Sequence, residues 1–280
     1  MNEEPNPRRP SRLPGGLTLR ALVPNAITAG ALCVGLTGIR FAISGEFGKA
    51  VLAIILAGVL DGIDGRAARL LKAQSRFGAE LDSLADSISF GVAPALILYL
   101  WALQDVPRLG WFAALAFAIC CVLRLARFNA RIDLPDQPHK SAGFLTGVPA
   151  PVGAGLAFLP LYLWLTNGNA AMDLPEALGG WTIDFRDPVL VGVWLVLIAF
   201  LLISNLPTLS WSRMRPRRSI RLELIVVAGL LAAALLTEGW LTLAVISIAY
   251  LLILPIGLIT YRRVRRPRAA RASASENGGL

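Results

Sequence analysis

The sequence predicts an all-α, polytopic membrane protein with about eight transmembrane helices. Hydrophobic residues make up 55% of its 280 residues and charged residues only 16%, whereas a soluble domain usually carries about 25% charged residues. Apolar runs of about 20 residues, long enough for a helix to cross the hydrocarbon core of a bilayer, recur along the chain. The basic residues also fall mainly on one side of the predicted spans. The predicted fold class rests on these three observations.

The predicted spans are separated by polar segments of different lengths. A polar turn from Lys72 to Arg76 divides the second span from the third, and the last two spans form a hairpin around Glu238 and Gly239. The spans run from about Pro24 to Ser44, Gly48 to Leu71, Leu81 to Trp101, Trp111 to Phe128, Phe144 to Leu165, Pro188 to Pro207, Leu222 to Thr237 and Leu241 to Tyr261.

The distribution of basic residues predicts how the chain is oriented. With the amino terminus in the cytosol, all but four of the 27 Lys and Arg residues lie on the cytosolic side, the four being Arg40, Lys49, Arg108 and Arg186. This bias is the one that the positive-inside rule describes. It explains the net charge of +9, so no nucleic-acid partner is predicted. We expect a disordered cytosolic tail over residues 1–19, a transmembrane domain over 20–261 and a basic cytosolic tail over 262–280.

The stretch from Asp61 to Asp86 carries four aspartates in an otherwise apolar chain. A charged side chain at membrane depth costs roughly 2.5–3.5 kcal/mol on insertion scales, so such a cluster indicates function. Asp61 and Asp64 are three residues apart, and Asp82 and Asp86 are four apart, which places each pair on one helix face. Two helices joined by a short turn would therefore direct four carboxylates into one cleft near the cytosolic boundary.

The chemistry of this cluster leaves three interpretations open. An all-oxygen site suits hard cations such as Mg²⁺ or Mn²⁺, and two divalent ions would neutralise the four carboxylates and support phosphoryl transfer. The cysteines (Cys33, Cys120 and Cys121) lie in apolar segments, and the single histidine, His139, lies in a predicted loop. Paired intramembrane aspartates are also typical of ion-coupled transporters. A face of small residues such as Gly65 and Ala68 is often only a helix-packing surface.

The spacing of the whole stretch resembles the signature of the CDP-alcohol phosphotransferase family, D-x2-D-G-x2-A-R-x8-G-x3-D-x3-D. Every specified position is met, by Asp61, Asp64, Gly65, Ala68, Arg69, Gly78, Asp82 and Asp86. The resemblance implies an integral membrane enzyme, with the fold of that family, that displaces CMP from a CDP-linked donor with an alcohol.

The resemblance also implies roles for individual residues. Two divalent cations, Mg²⁺ or Mn²⁺, would be held by Asp61, Asp64, Asp82 and Asp86, and Asp86 would also be the catalytic base that accepts the proton of the attacking hydroxyl. The residues expected to contact the cytidine diphosphate group are Gly65, Ala68, Arg69, Ser75 and Gly78. The segment from Pro24 to Thr28 resembles the start of the family's first span, which implies that Asn25 and Thr28 lie close to the nucleotide.

Further stretches resemble the branch of the family that forms phosphatidylserine from CDP-diacylglycerol and L-serine. They cover Ser83–Ala95, Arg124–Asn129, Phe144–Pro151 and, more weakly, Asn205–Thr208. For the serine pocket, Arg124, Arg127 and Lys140 are the candidate cations. We expect one of them to meet the serine carboxylate, and Asn129 or backbone carbonyls to contact the ammonium. The alternative is that these residues only determine topology and extend to the headgroups.

The resemblance further implies a homodimer, surrounded by membrane lipid. The positions of the basic residues and the even number of predicted spans place both termini and the aspartates on the cytosolic side of the cytoplasmic membrane. Two rival functions remain. One is the same chemistry with glycerol 3-phosphate, an inositol phosphate or choline as the acceptor, and the other is an ion-coupled transporter.

Overall fold

The computed structural model describes residues 19–132, 144–173, 182–204, 207–209 and 221–255. These residues are mostly helical. The chain divides into two compact units, residues 1–97 and 98–280. The third helix crosses this division.

The described residues form nine helices. They are α1 (Leu19–Ile43), α2 (Phe47–Leu70), α3 (Arg76–Leu103), α4 (Pro107–Ile132), α5 (Ala150–Ala157), α6 (Leu159–Thr166), α7 (Pro188–Ile203), α8 (Arg221–Thr237) and α9 (Gly239–Pro255). Helix α3 contains two π-helical turns, Ser87–Val92 and Tyr99–Leu103.

Within the described part of the chain, three helices are long and apolar enough to cross a membrane, at Arg20–Ile43, Arg76–Leu103 and Pro107–Ala130. Helix α2 has 24 residues but is not one of these three, and it carries five charged residues, Lys49, Asp61, Asp64, Arg66 and Arg69. The protein is therefore a helical membrane protein. The first four predicted spans each coincide with a helix, whereas the predicted total of eight is not confirmed by length and composition.

The first span begins earlier than predicted. The predicted span starts at about Pro24. Helix α1 instead begins at Leu19 and contains Pro24. Because Pro24 has no N–H, the carbonyl of Arg20 lacks its helical donor. Arg20 is exposed in the first turn of the helix, so the missing hydrogen bond costs little.

The prediction of one continuous fifth span from Phe144 to Leu165 is wrong. Phe144–Thr146 is a strand that pairs antiparallel with Pro207–Leu209, and the helix begins only at Ala150. Gly147 has a φ of +80° and Pro149 takes an extended conformation before the helix, so a helix cannot run through these residues. A second short pair joins Met172–Asp173 to Thr182–Ile183, and the fold is thus not purely helical.

The fifth span is also interrupted between α5 and α6. Pro160 has no N–H, so the carbonyl of Leu156 loses its usual helical donor. The indole Nε1 of Trp194, on α7, donates to this oxygen at 3.0 Å. Neighbouring helices commonly satisfy backbone groups freed by a proline inside a membrane. This hydrogen bond ties the broken span to α7.

Replacing Trp194 with phenylalanine is expected to lower stability by about 1 kcal/mol, because the Leu156 carbonyl would lose its side-chain donor in an apolar region. Thermal unfolding in detergent would measure the change. Trp111→Phe is the matched control, because Trp111 contacts Tyr99 through its ring, at 5.3 Å between centroids. An equal effect in both variants would contradict a specific role for the indole N–H.

In the first unit the helices approach closely at glycines. A Cβ at Gly38 of α1 would lie 3.1 Å from the carbonyl oxygen of Ala50 in α2. A Cβ at Gly35 would lie 2.6 Å from Oγ of Ser89 in α3. Small residues allow such close packing between membrane helices. Helix α1 is thereby held against both α2 and α3, the two helices that carry the aspartates.

Candidate functional site

Helix α2 supplies the first aspartate pair, in two different environments. The Asp64 side chain is only 3% exposed, whereas Asp61 is half-buried. Oγ1 of Thr28, on α1, lies 2.6 Å from Oδ2 of Asp64 and 3.0 Å from the carbonyl oxygen of Pro24. A hydroxyl has one proton, and an ionised carboxylate is the stronger acceptor. Thr28 therefore donates to Asp64 and fixes the orientation of its carboxylate.

Helix α3 supplies the second pair. Carboxylate oxygens of Asp61, Asp64 and Asp82 all lie within 4.8 Å of one another. Asp86 is one turn beyond Asp82, and its carboxyl contacts that of Asp61. The predicted convergence of the four aspartates is thus present in the structure.

The donor set fits divalent cations. Ionised carboxylates this close together repel one another unless a proton or a cation lies between them. The oxygen-only ligands suit hard cations, and the grouping of Asp61, Asp64 and Asp82 has the geometry of a possible metal site. The aspartate cluster is therefore a candidate metal centre.

The turn between α2 and α3 has a defined backbone geometry. The N–H of Ala73 donates to the carbonyl of Ala68 at 2.9 Å, and that of Lys72 to the carbonyl of Arg69 at 3.2 Å. This pair of hydrogen bonds is the Schellman motif, whose left-handed position is usually glycine. Here Lys72 occupies that position, with a φ of +50°.

Helix α3 then begins with a side-chain cap. Oγ of Ser75 accepts a hydrogen bond from the N–H of Gly78 at 3.0 Å. A Cβ at Gly78 would lie 2.9 Å from Oδ1 of Asn25 on α1. Three residues predicted to contact the nucleotide, Asn25, Ser75 and Gly78, are thus adjacent. Capping also gives Ser75 a local structural role that the sequence analysis did not assign.

The α2 residues of the signature line a more open surface. Gly65 and Arg69 are exposed and Ala68 is half-buried. A Cβ at Gly65 would meet no atom of the described residues within 4 Å. Packing among the described residues therefore does not require a glycine at residue 65. Close approach of a ligand to the backbone would explain why a glycine is present.

The packing of the helical segment that follows Asp86 was not predicted from the sequence. Immediately after it the helix widens into the π-helical turn Ser87–Val92, a feature frequent at functional sites. Oγ of Ser87 donates to the carbonyl of Ser83 at 2.7 Å. Ser89 is 2% exposed and contacts the position of Gly35. No local sequence signal pairs Gly35 with Ser89, because they are far apart in the chain.

The residues predicted to bind serine belong to the second unit. Arg124, Arg127 and Asn129 lie in the last turns of α4. Nη2 of Arg127 lies 3.5 Å from the carbonyl oxygen of Ser204, just after α7, where a cation is favoured by the helix dipole. Lys140 lies outside the described residues.

Two family models match this chain. Residues 21–202 match a family model described as CDP-alcohol phosphatidyltransferase, and residues 219–255 match one described as CDP-alcohol phosphatidyltransferase 2.

Similar relatives are named CDP-diacylglycerol–serine O-phosphatidyltransferase. The protein from Mycobacterium leprae is 36% identical, over 94% of this chain and 80% of its own length. The protein from Mycobacterium tuberculosis H37Rv is 38% identical, over 88% of this chain and 81% of its own. The Bacillus subtilis protein is 44% identical over 50% of this chain and 74% of its own length.

Proposed function

This chain belongs to the CDP-alcohol phosphatidyltransferase family, and from that premise we propose that it transfers the phosphatidyl group of CDP-diacylglycerol to the hydroxyl of L-serine. The products are phosphatidylserine and CMP. The observation that carries the proposal is the convergence of carboxylates from Asp61, Asp64 and Asp82 beside Asp86. The names of the relatives supply the acceptor.

The nucleotide end of the donor lies against the start of α3 and the open surface of α2. Oγ of Ser75 accepts a hydrogen bond from Gly78, which leaves its proton available for a phosphate oxygen. The exposed guanidinium of Arg69 offers paired donors to the diphosphate. Gly65 and Ala68 let the nucleotide approach the backbone, and Asn25 and Thr28 border the same region from α1.

Asp86 is the catalytic base. An aliphatic hydroxyl is a weak nucleophile, so a positioned carboxylate helps to remove its proton. The serine oxygen forms a bond to the phosphorus that carries the diacylglycerol, the bond from that phosphorus to the CMP oxygen breaks, and the proton passes to Asp86. Direct attack is favoured because no cysteine or histidine is among the residues of the acidic cluster.

Asp61, Asp64, Asp82 and Asp86 would hold two divalent cations, Mg²⁺ or Mn²⁺. When bound, they neutralise the carboxylates and the negative charge that develops as CMP departs. The hydrogen bond from Thr28 would hold the Asp64 carboxylate in one orientation toward them.

Replacing Gly65 with alanine is expected to raise the KM for CDP-diacylglycerol about tenfold, because the methyl group would occupy space that the donor approaches. Protein stability should be unchanged or slightly higher, since alanine favours helix. Gly62→Ala is the matched control: this glycine is also exposed with open space around it, but the signature does not specify it. Equal kinetics for the two variants would argue against a donor surface at Gly65.

The serine pocket comprises Arg124 and Arg127, with Asn129 and Lys140 as further contacts. Replacing Arg124 or Arg127 with alanine is expected to raise the KM for serine, by about tenfold for a lost charge-assisted hydrogen bond, and to leave the KM for CDP-diacylglycerol unchanged. Steady-state kinetics with each substrate varied would measure both. An unchanged KM for serine in both variants would remove the pocket and leave these arginines as structural cations.

The topology proposed for this function has eight spans in the cytoplasmic membrane, a cytosolic active site and both termini cytosolic. The transmembrane catalytic domain covers residues 20–261, between a cytosolic tail over 1–19 and a basic cytosolic tail over 262–280. The protein is a homodimer surrounded by membrane lipid. The distribution of Lys and Arg residues supports this orientation.

One experiment tests the reaction. Purified protein, CDP-diacylglycerol and Mg²⁺ or Mn²⁺ are offered serine, glycerol 3-phosphate, inositol phosphate or choline while CMP release is followed. CMP release that depends on serine is the expected result. Preference for another alcohol would overturn the acceptor alone, and no CMP with any alcohol would overturn the proposed activity.

A further inference from the structure

We propose that Arg66, Lys72 and Arg76 form a binding site for anionic phospholipid headgroups at the membrane surface, separate from the aspartate cluster. These three residues, here called the basic rim, surround the turn between α2 and α3. The reaction signature specifies none of them. The proposal rests on the membrane location of the chain and does not require serine transfer.

The rim is exposed and positively charged. All three side chains are exposed, and none forms an ion pair with another residue in the described part of the chain. Arg66 lies two residues beyond Asp64, which puts it on the opposite side of a helix with 3.6 residues per turn. Its charge is therefore available to a ligand outside the acidic cleft.

The backbone at Lys72 gives independent support. A left-handed conformation is unfavourable for any residue with a Cβ, and glycine is the usual choice in this motif. Lysine occupies this position although glycine would satisfy the same two backbone hydrogen bonds. An unfavourable backbone conformation that persists often indicates a functional side chain. Here it holds an ammonium at the tip of the turn.

The location favours a lipid over a soluble anion. The rim lies where two predominantly apolar helices end, which is the depth of the headgroups when α2 and α3 cross a bilayer. Basic residues beside the membrane attract anionic lipids, and each cation strengthens the attraction by roughly fivefold. The aspartate cluster repels anionic lipids, so an adjacent cationic rim also concentrates them next to the cleft.

The test measures lipid binding without any turnover. Purified full-length protein in mixed micelles is given equal amounts of phosphatidylglycerol, which is anionic, and phosphatidylcholine, which is zwitterionic. Native mass spectrometry then counts the retained lipids. Lys72→Gly is expected to lower the preference for phosphatidylglycerol about fivefold, while its unfolding temperature stays equal or rises because the strained φ is relieved. Lys72→Arg should keep the preference.

Two further variants sharpen the comparison. In the triple variant Lys72→Gly, Arg66→Gln and Arg76→Gln, the preference for phosphatidylglycerol over phosphatidylcholine should fall at least about tenfold. Arg40→Gln, which removes an exposed arginine at the opposite end of the α1–α2 pair, should retain it. The proposal would be overturned if the triple variant kept the full preference for phosphatidylglycerol. It would also be overturned if inorganic pyrophosphate, added at a concentration that supplies as much negative charge as the phosphatidylglycerol, displaced the bound lipid. Because no CDP-diacylglycerol is present, this result and that of the CMP assay are independent.

Discussion

Replacement of Asp86 by asparagine is expected to abolish CMP release, with a loss of at least about a hundredfold in kcat, because asparagine cannot accept a proton from the serine hydroxyl. The substitution keeps the size of the side chain and its contact with Asp61. Donor binding should therefore be reduced but measurable. Steady-state CMP release and equilibrium binding of CDP-diacylglycerol to the same preparation would separate the two effects.

Glu80→Gln is the matched control for this variant. Glu80 is an exposed carboxylate on the same helix, outside the cluster and outside the signature. Its replacement changes the net charge of α3 by the same amount. Because Glu80 lies outside the cluster, the rate should stay near that of the unaltered protein. A near-normal rate in Asp86→Asn would rule out Asp86 as the base.

Removal of divalent cations is expected to stop CMP release completely and reversibly. The carboxylates of Asp61, Asp64 and Asp82 converge within 4.8 Å, and without a counter-charge they repel one another and the donor diphosphate. Chelation followed by addition of Mg²⁺ or Mn²⁺ should restore the rate. The bound cation should also raise thermal stability, by about 2.7 kcal/mol when its concentration is a hundred times Kd.

The hydrogen bond between Thr28 and Asp64 provides the matched variants. Thr28→Val removes the donor but keeps the shape of the side chain, and loss of a partner that orients a metal ligand typically weakens metal binding 10- to 100-fold. The cation concentration for half-maximal activity should rise by about that factor, whereas Thr28→Ser should behave normally. Full activity after chelation would contradict a metal-dependent reaction.

Much of the site was predictable because its information is local. The spacing of Asp61, Asp64, Asp82 and Asp86 fixes each pair on one helix face, whatever surrounds the helices. The first four spans were also predictable, since long apolar runs in a membrane protein have few structures other than a helix available to them.

The errors occurred where backbone geometry competes with an apolar run. The residues from Phe144 to Leu165 have the length and hydrophobicity of a span, but Gly147 and Pro149 delay the helix and Pro160 interrupts it. The broken span is stabilised by Trp194, a distant residue whose indole donates to the freed carbonyl of Leu156. A pattern of hydrophobicity contains no information about that partner.

The sequence by itself determined that the chain enters a membrane as helices and carries an acidic cluster suited to hard cations between its second and third spans. Only the tertiary structure decided how the helices that carry the cluster are held. Thr28 orients Asp64, Gly35 leaves room for Ser89 of α3, and Lys72 takes the left-handed position of the turn. The physical reason is that periodicity and composition determine which face a residue occupies. The contacts between α1 and the two aspartate-bearing helices depend instead on packing between residues that are distant in the chain.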